Sequence, residues 1–219
     1  MSQPIFVTGI GTDVGKTIVS AVLTEALHAD YWKPVQAGFY DGTDALTLKE
    51  LISNNETVIH PEVYKLSLAA SPHIAARIEH IKIDLNLIAE KYHLLKTQYS
   101  KPGTQKQLII EGAGGLMVPL NEKEFMFDLI QKLNARVILV SRNYLGSINH
   151  SLLTAGVCKQ KNIEVAGWIF NDQYMDYEHE IVQWTGWPKI FSMPFAENLT
   201  KEFISRQAEK LKASLQKFL

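Results

Sequence analysis

Ile5-Phe6-Val7-Thr8-Gly9-Ile10-Gly11-Thr12-Asp13-Val14-Gly15-Lys16-Thr17 reads as an apolar strand, a glycine-rich turn, a lysine and a hydroxyl residue. Glycines let backbone N–H groups curl around phosphate oxygens, and the helix expected to follow points its positive N-terminal end at the same anion. In this reading Lys16 reaches the outer phosphates of a nucleotide and the Thr17 hydroxyl ligates Mg²⁺. The strict phosphate-loop pattern asks for a glycine where Ile10 stands, but Gly9 and Gly11 flank that position. The turn lies between a buried-looking strand and a helix with an apolar face (Val19, Val22, Leu23, Ala26, Leu27), which is the context phosphate binding requires.

Working outward, the chain of 219 residues is long enough to bury a substantial core and is expected to form a single domain. With 46% hydrophobic and 21% charged residues it has the composition of an ordinary globular protein. A net charge of −1 argues against nucleic-acid binding, which needs a basic face to displace counterions. Membrane spans need runs of roughly 20 apolar residues, and none is approached. Met1-Ser2-Gln3-Pro4 leads straight into the first strand without a signal peptide, and the single Cys158 suits a reducing compartment, so a cytoplasmic setting is expected. Cys158 lies in an apolar helical stretch and reads as a buried spectator rather than a nucleophile.

Apolar runs predict strands over Pro4–Gly9, Tyr31–Gln36, Gln107–Glu111, Arg136–Ser141, Val165–Asn171 and Lys189–Pro194. Helical periodicity predicts Lys16–His28, Asp44–Ile52, Asp84–Gln98, Phe125–Leu133, Ile148–Lys161, Tyr174–Trp184 and Lys201–Leu219. Near-continuous runs such as Val137-Ile138-Leu139-Val140 belong to strands covered on both faces. Their alternation with helices predicts an α/β fold of the phosphate-loop type, a mostly parallel sheet with helices on both sides. Asn54–Pro61 and Lys101–Lys106 read as linker-like, with a turn at Pro102-Gly103.

In such folds ligands bind where the strands end. Lys33-Pro34-Val35-Gln36-Ala37-Gly38 places a lysine inside an apolar strand, which is costly unless it meets an anion or carboxylate; the bland reading is an edge lysine reaching solvent. In Gly42-Thr43-Asp44-Ala45, Thr43 or Asp44 caps the helix or the segment serves a metal, and the two roles are compatible. An apolar strand delivers Glu111 into Gly112-Ala113-Gly114-Gly115, the way nucleotide-hydrolysing folds place a Mg²⁺-directed acid. Gly146 and Ser147 offer free N–H groups at a helix start, either as a plain cap or as a carboxylate site. His150 reads as a packed first-turn residue, and Asn171 as an amide able to read a base edge.

Taken in order, these motifs resemble the dethiobiotin synthetase family: Gly11–Thr17, Lys33-Pro34-Val35, Thr43-Asp44-Ala45, Ser71-Pro72-His73, Glu111–Gly115, Leu145-Gly146-Ser147-Ile148-Asn149-His150, and Gly167-Trp168 to Asn171-Asp172. The resemblance implies an ATP- and Mg²⁺-dependent cyclo-ligase of biotin synthesis that turns 7,8-diaminononanoate and CO2 into dethiobiotin, ADP and phosphate through a carbamate and a carbamic–phosphoric anhydride. It implies Lys33, Lys16 and Thr12 at the reacting groups. Thr17, Asp44 and Glu111 are implied as Mg²⁺ ligands. The nucleotide is implied to meet Asp13, Val14, Gly15, Lys16, Thr17, Ile18, Glu111, Gly112, Ala113 and Gly114, with Asn171, Asp172, Pro194, Phe195 and Ala196 around adenine. Ala37 would face substrate, while Gly146, Ser147, Ile148 and Asn149 would take its carboxylate tail from the partner subunit of a homodimer.

Two departures stand out. The family often has a hydroxyl residue where this chain has Ala37, and a lost neutral hydrogen bond costs about 0.5–1.5 kcal/mol. The segments after Gly38 and Pro194 are short, which touches the lid and the ribose contacts. A partitioning-type ATPase switch is the main rival. Such switches carry a signature lysine where this chain has Gly11, and often a lipid-binding tail. The apolar stripe Phe203, Ile204, Ala208, Leu211 and Leu215 is expected to dock on the core instead. An amide ligase of cobalamin synthesis would bring a glutaminase domain for which there is no room. A catalytically silent nucleotide binder would not need Lys16, Lys33, Asp44 and Glu111 together.

Overall fold

The computed structural model describes residues 3–98, 106–172 and 175–215. Along the chain run β1 (Ile5–Gly9), α1 (Lys16–Leu27), β2 (Asp30–Trp32), β3 (Val35–Ala37), α2 (Asp44–Leu51), β4 (Ile59–His60), β5 (Tyr64–Leu66), α3 (Pro72–Ile78) and α4 (Leu85–Gln98). They continue as β6 (Leu108–Gly115), α5 (Met126–Lys132), β7 (Arg136–Arg142), α6 (Ser147–Gln160), β8 (Val165–Asn171), α7 (Glu178–Thr185), β9 (Lys189–Met193) and α8 (Lys201–Leu215). Seven strands form one parallel sheet in the order β4-β2-β6-β1-β7-β8-β9. One apolar cluster on each face of the sheet packs it against helices, as the doubly covered strands predict.

The chain reverses direction of growth at β1, with β6 on one side and β7 on the other, so the phosphate loop opens at a topological switch point. The stripe of α8 is buried against α1: Ile204 and Leu211 are 0% exposed and share a cluster with Val19, Val22 and Leu23. Docking on the core therefore holds for that helix, and no helix among the described residues is long and apolar enough to cross a membrane.

Three local differences from the sequence reading have physical causes. The expected strand Tyr31–Gln36 is two strands in different sheets, β2 and β3, broken at Lys33-Pro34. Proline has no N–H to give a ladder and restricts the residue before it; its carbonyl instead accepts from Val63 N–H at 2.9 Å and Tyr64 N–H at 3.0 Å. That break takes Lys33 out of the ladder and leaves its side chain to the cleft. Asn54–Pro61, read as a linker, carries the edge strand β4 paired to β2. The glycine run after Glu111 stays in β6 through Gly115, and a register shift beside Gly9 fits the two glycine backbones together. Lys101 and the Pro102-Gly103 turn lie outside the described residues, as do the first residue of the expected helix at Tyr174 and the last four of that at Leu219.

Candidate active site

The phosphate loop turns on Gly15, whose φ of +88° belongs to the left-handed region that favours glycine. A Cβ there would stand 2.2 Å from the Asn171 Nδ2 atom. That closeness is functional in form, because Asn171 donates from Nδ2 to the Val14 carbonyl at 2.6 Å and ties the end of β8 to the loop. Its other amide atom, Oδ1, is buried with no hydrogen-bond partner. A buried acceptor left open beside a phosphate loop fits an exocyclic amine of a base.

Four groups expected from the sequence meet at the mouth of this loop. Thr17 donates from Oγ1 to Asp44 Oδ1 at 3.0 Å and to Glu111 Oε1 at 2.9 Å. Lys33 Nζ donates to Glu111 Oε1 at 3.1 Å and also bonds Asp44 Oδ2. The lysine is therefore not an edge residue reaching solvent: its side chain is 6% exposed, and that of Glu111 is 1% exposed. Burial alone would lower the Lys33 ammonium, but the Glu111 and Asp44 carboxylates outweigh it and hold it above its ordinary value. Asp44 feels the converse: burial pushes its carboxyl up, and Lys33 with the hydroxyl and amide donors brings it below the usual range.

Lys16 folds back on the loop, donating from Nζ to the Gly11 carbonyl at 2.8 Å. Burial lowers its ammonium to about 8, against the pull of Glu111. An ammonium satisfied by one neutral carbonyl in a buried cleft has charge to spare for an anion. Asp44 also settles the double reading of its segment. The helix cap is Thr43, whose Oγ1 accepts from Leu46 N–H at 3.2 Å, and Asp44 is left free to face the cleft.

A cavity of about 1050 Å³ holds these groups together; Thr12, Asp13, Gly15, Ile18, Ala37, Ala113 and Gly114 also line it. Val14 and Gly112 do not line it. Val14 is buried beneath the loop, and Gly112 packs on Phe6, where a Cβ would meet Cε1 at 2.8 Å. Thr17, Asp44 and Glu111 form a set of hard oxygen donors, which suits Mg²⁺ and leaves coordination positions for phosphate oxygens and water. Among the described residues no group of three or more His, Cys, Asp or Glu side chains gathers elsewhere to hold a metal.

The remaining expected residues lie away from this cavity. Pro194, Phe195 and Ala196 follow β9, whose Met193 pairs with Asn171, so they share the sheet end with the open amide acceptor. Asp172 does not present a free carboxylate: Arg142 Nε donates to its Oδ2 at 2.6 Å. Gly146 caps α6 with a φ of +102°. The Ser147 N–H, expected free, donates to the Tyr144 carbonyl at 3.0 Å, and its buried Oγ shares a 2.6 Å hydrogen bond with the Tyr177 hydroxyl. Ile148 and Asn149 occupy the helix positions whose N–H groups have no partner inside the helix. His150 lies in the first turn but is exposed rather than packed, its Nδ1 lying 2.7 Å from the Tyr144 hydroxyl. Burial pushes the Cys158 thiol up to about 12, as a spectator requires.

Three participants carry no sequence signal strong enough to find. Tyr31 donates its phenolic O–H to Glu111 Oε2 at 2.9 Å. Gln36 bridges the turn, donating to the Gly38 carbonyl at 2.8 Å and accepting from Asp44 N–H at 3.3 Å, and so supports Asp44 from beside Ala37. Glu178, 4% exposed, accepts from Asn143 Nδ2 at 3.1 Å and Ser192 Oγ at 2.6 Å, joining the loop before α6 to β9.

A family model described as an AAA domain matches residues 3–203. The ATP-dependent dethiobiotin synthetase BioD of Cytophaga hutchinsonii is 47% identical over 208 residues, covering 94% of this chain and 95% of the relative. That of Christiangramia forsetii is 43% identical, covering 98% of this chain and 99% of the relative. Among solved structures, the cell division ATPase MinD of Pyrococcus furiosus superposes with a TM-score of 0.60 over 100% of both chains. At 13% identity that likeness shows a shared fold and nothing of the work done by it. Identity of the first kind, sustained over nearly the whole length of both partners, does more: this chain belongs to the dethiobiotin synthetase family.

Proposed function

We propose that this protein is an ATP- and Mg²⁺-dependent ligase that closes the ureido ring of dethiobiotin from 7,8-diaminononanoate and CO2, releasing ADP and phosphate. The observation that carries the reading is Lys33: a buried ammonium, outside the phosphate loop yet beside it, shared between Asp44 and Glu111. A partitioning-type switch carries its second lysine inside the phosphate loop, where this chain has Gly11. A reaction that brings a carbamate up to a triphosphate needs a second fixed cation beside the loop, because two anions approach each other only where positive charge is already placed.

One substrate amine adds to CO2 to give the carbamate. Lys33 takes hold of the carbamate by giving up one of its two carboxylates, and Thr12 at the cleft wall assists. Lys16 gathers the negative charge of the γ-phosphoryl group. The carbamate oxygen then attacks the γ-phosphorus and ADP departs. The second amine attacks the carbonyl carbon of the resulting anhydride, the ring closes, and phosphate leaves. Thr17, Asp44 and Glu111 would hold Mg²⁺, which supplies charge neutralisation on the phosphate oxygens when bound.

The backbone of Asp13, Gly15 and Ile18, with Ala113 and Gly114, wraps the nucleotide from two sides, and Val14 and Gly112 back that lining from behind. Asn171 reads adenine, which the open Oδ1 acceptor supports, and Pro194, Phe195 and Ala196 flank the base with Asp172. The whole chain, residues 1–219, works as one nucleotide-binding domain. Gly146, Ile148 and Asn149 receive the carboxylate tail across a homodimer, while Ser147, buried and bonded to Tyr144 and Tyr177, holds the turn that presents them. Supporting this, they do not line the cleft of their own chain, and Leu145 and Leu153 around them are 86% and 62% exposed.

Phosphate release from Mg-ATP and bicarbonate, measured with and without the diamine, tests the reading. Release that requires the diamine, with dethiobiotin formed in step, is expected. Diamine-independent release would overturn it in favour of a switch.

A further inference from the structure

The two oxygens of Glu111 do different work. Oε1 faces the cleft, accepting from Thr17 at 2.9 Å and Lys33 at 3.1 Å. Oε2 points into the sheet and accepts from the Tyr31 hydroxyl at 2.9 Å. Strand register sets this up: Tyr31 pairs with Ile109, and Glu111 is two residues further along the same strand, hence on the same face. Tyr31 is 0% exposed, so its hydroxyl cannot drift to water and its ring cannot swing away. A phenylalanine would satisfy the packing; among the described residues the hydroxyl donates to Glu111.

We propose that Tyr31 is a positioning residue that restricts Glu111 to a one-oxygen ligand and thereby sets the preference of the site for Mg²⁺ over Ca²⁺. The inference rests on the Mg²⁺ reading above and deepens it. Mg²⁺ takes single oxygens in an octahedron at about 2.0–2.1 Å, whereas Ca²⁺ takes about six to eight oxygens at about 2.3–2.6 Å and readily draws both from one carboxylate. Tying Oε2 to a fixed donor denies the larger ion its second oxygen and takes nothing from the smaller one. Tyr31 touches neither nucleotide nor reacting atoms, so it acts through Glu111 alone.

The test is thermal unfolding in the presence of ADP, with Mg²⁺ and Ca²⁺ titrated separately; the readout is the ratio of the two midpoint concentrations. Loss of a group behind a metal ligand changes affinity by about 10–100-fold. Tyr31→Phe is expected to move the ratio toward Ca²⁺ by about tenfold or more. A ratio within about twofold of the parent, with the metal response intact, overturns the proposal. A parent protein that responds to neither metal overturns the Mg²⁺ reading as well, and the two failures are thus distinguishable. Infrared difference spectra of the unsubstituted protein give a second route that does not depend on the variant folding. Carboxylate bands that vanish in Glu111→Gln are expected to keep the wide splitting of one-oxygen coordination with either metal. The narrow splitting of two-oxygen coordination with Ca²⁺ overturns the proposal.

Discussion

Replacing Lys33 by methionine removes a buried charge while keeping most of the side-chain volume, and the cost can be worked from the cluster. At 3.1 Å from Glu111 Oε1, and with an effective dielectric constant of about 20, the attraction is about 5 kcal/mol. Asp44 contributes less, because its side chain is 31% exposed and solvent screens its side of the pair. Against this, the variant no longer desolvates an ammonium, and Glu111 keeps the hydrogen bonds from Thr17 and Tyr31. Breaking one side of a buried pair typically costs about 3–5 kcal/mol, and the local arithmetic agrees with that range. At about 2–4 °C per kcal/mol for a chain of this size, Lys33→Met should melt about 6–20 °C below the parent in metal-free buffer. The cause is the stranded Glu111 carboxylate, so Lys33→Met combined with Glu111→Gln should regain at least half of the loss, a coupling of about 2 kcal/mol or more in the double-mutant cycle. Circular dichroism melts of the four proteins with a chelator present measure it. A single variant within about 1 °C of the parent, or a double variant no better than the single, would refute the reasoning.

Other consequences follow from separate parts of the molecule. Gly15→Ala forces a side chain into the left-handed region and against the Asn171 amide, so it should lose about 1–3 kcal/mol in urea unfolding and weaken ADP binding; unchanged affinity would show that the loop does not depend on that turn. Asn149→Ala should raise the KM for the diamine at constant kcat, and equal KM values would place the tail elsewhere. Asp30 gives a pH signature. Burial would raise its carboxyl, but His60, the Val58 N–H and Lys106 outweigh this and hold it below the ordinary range. A depressed folded-state value contributes stability that is present above the unfolded value of about 3.9 and is lost as pH falls through the folded one. The acid limb of the stability curve should therefore flatten in Asp30→Asn, and an identical limb in the two proteins would remove Asp30 from the account.

The phosphate loop, the alternation of strands and helices and the docking of α8 were legible because each is written in neighbouring residues. A glycine turn needs its glycines within a few positions, and a buried strand shows itself in a handful of consecutive apolar side chains. The short strands β4 and β5 escaped for the matching reason, since two or three residues give no period to read. Proline at position 34 was visible as a strand end, yet its effect, handing the next residues to a second sheet, depends on where Val63 and Tyr64 come to lie.

The same division runs through the site. Residue types and strand ends by themselves pointed to Lys16, Thr17, Lys33, Asp44 and Glu111 as the groups of interest, because a charged residue at the end of an apolar strand is chemically conspicuous. That Thr17 and Glu111 meet across 94 residues of chain, Lys33 and Glu111 across 78, and Tyr31 and Glu111 across 80 was decided by the order of strands in the sheet. A tyrosine in an apolar strand looks like any core aromatic until its neighbour on the next strand is known. Local chemistry is carried by the sequence because bonded neighbours cannot be rearranged. Which carboxylate oxygen faces the cleft and which faces a phenol is settled only when packing brings distant strands into register.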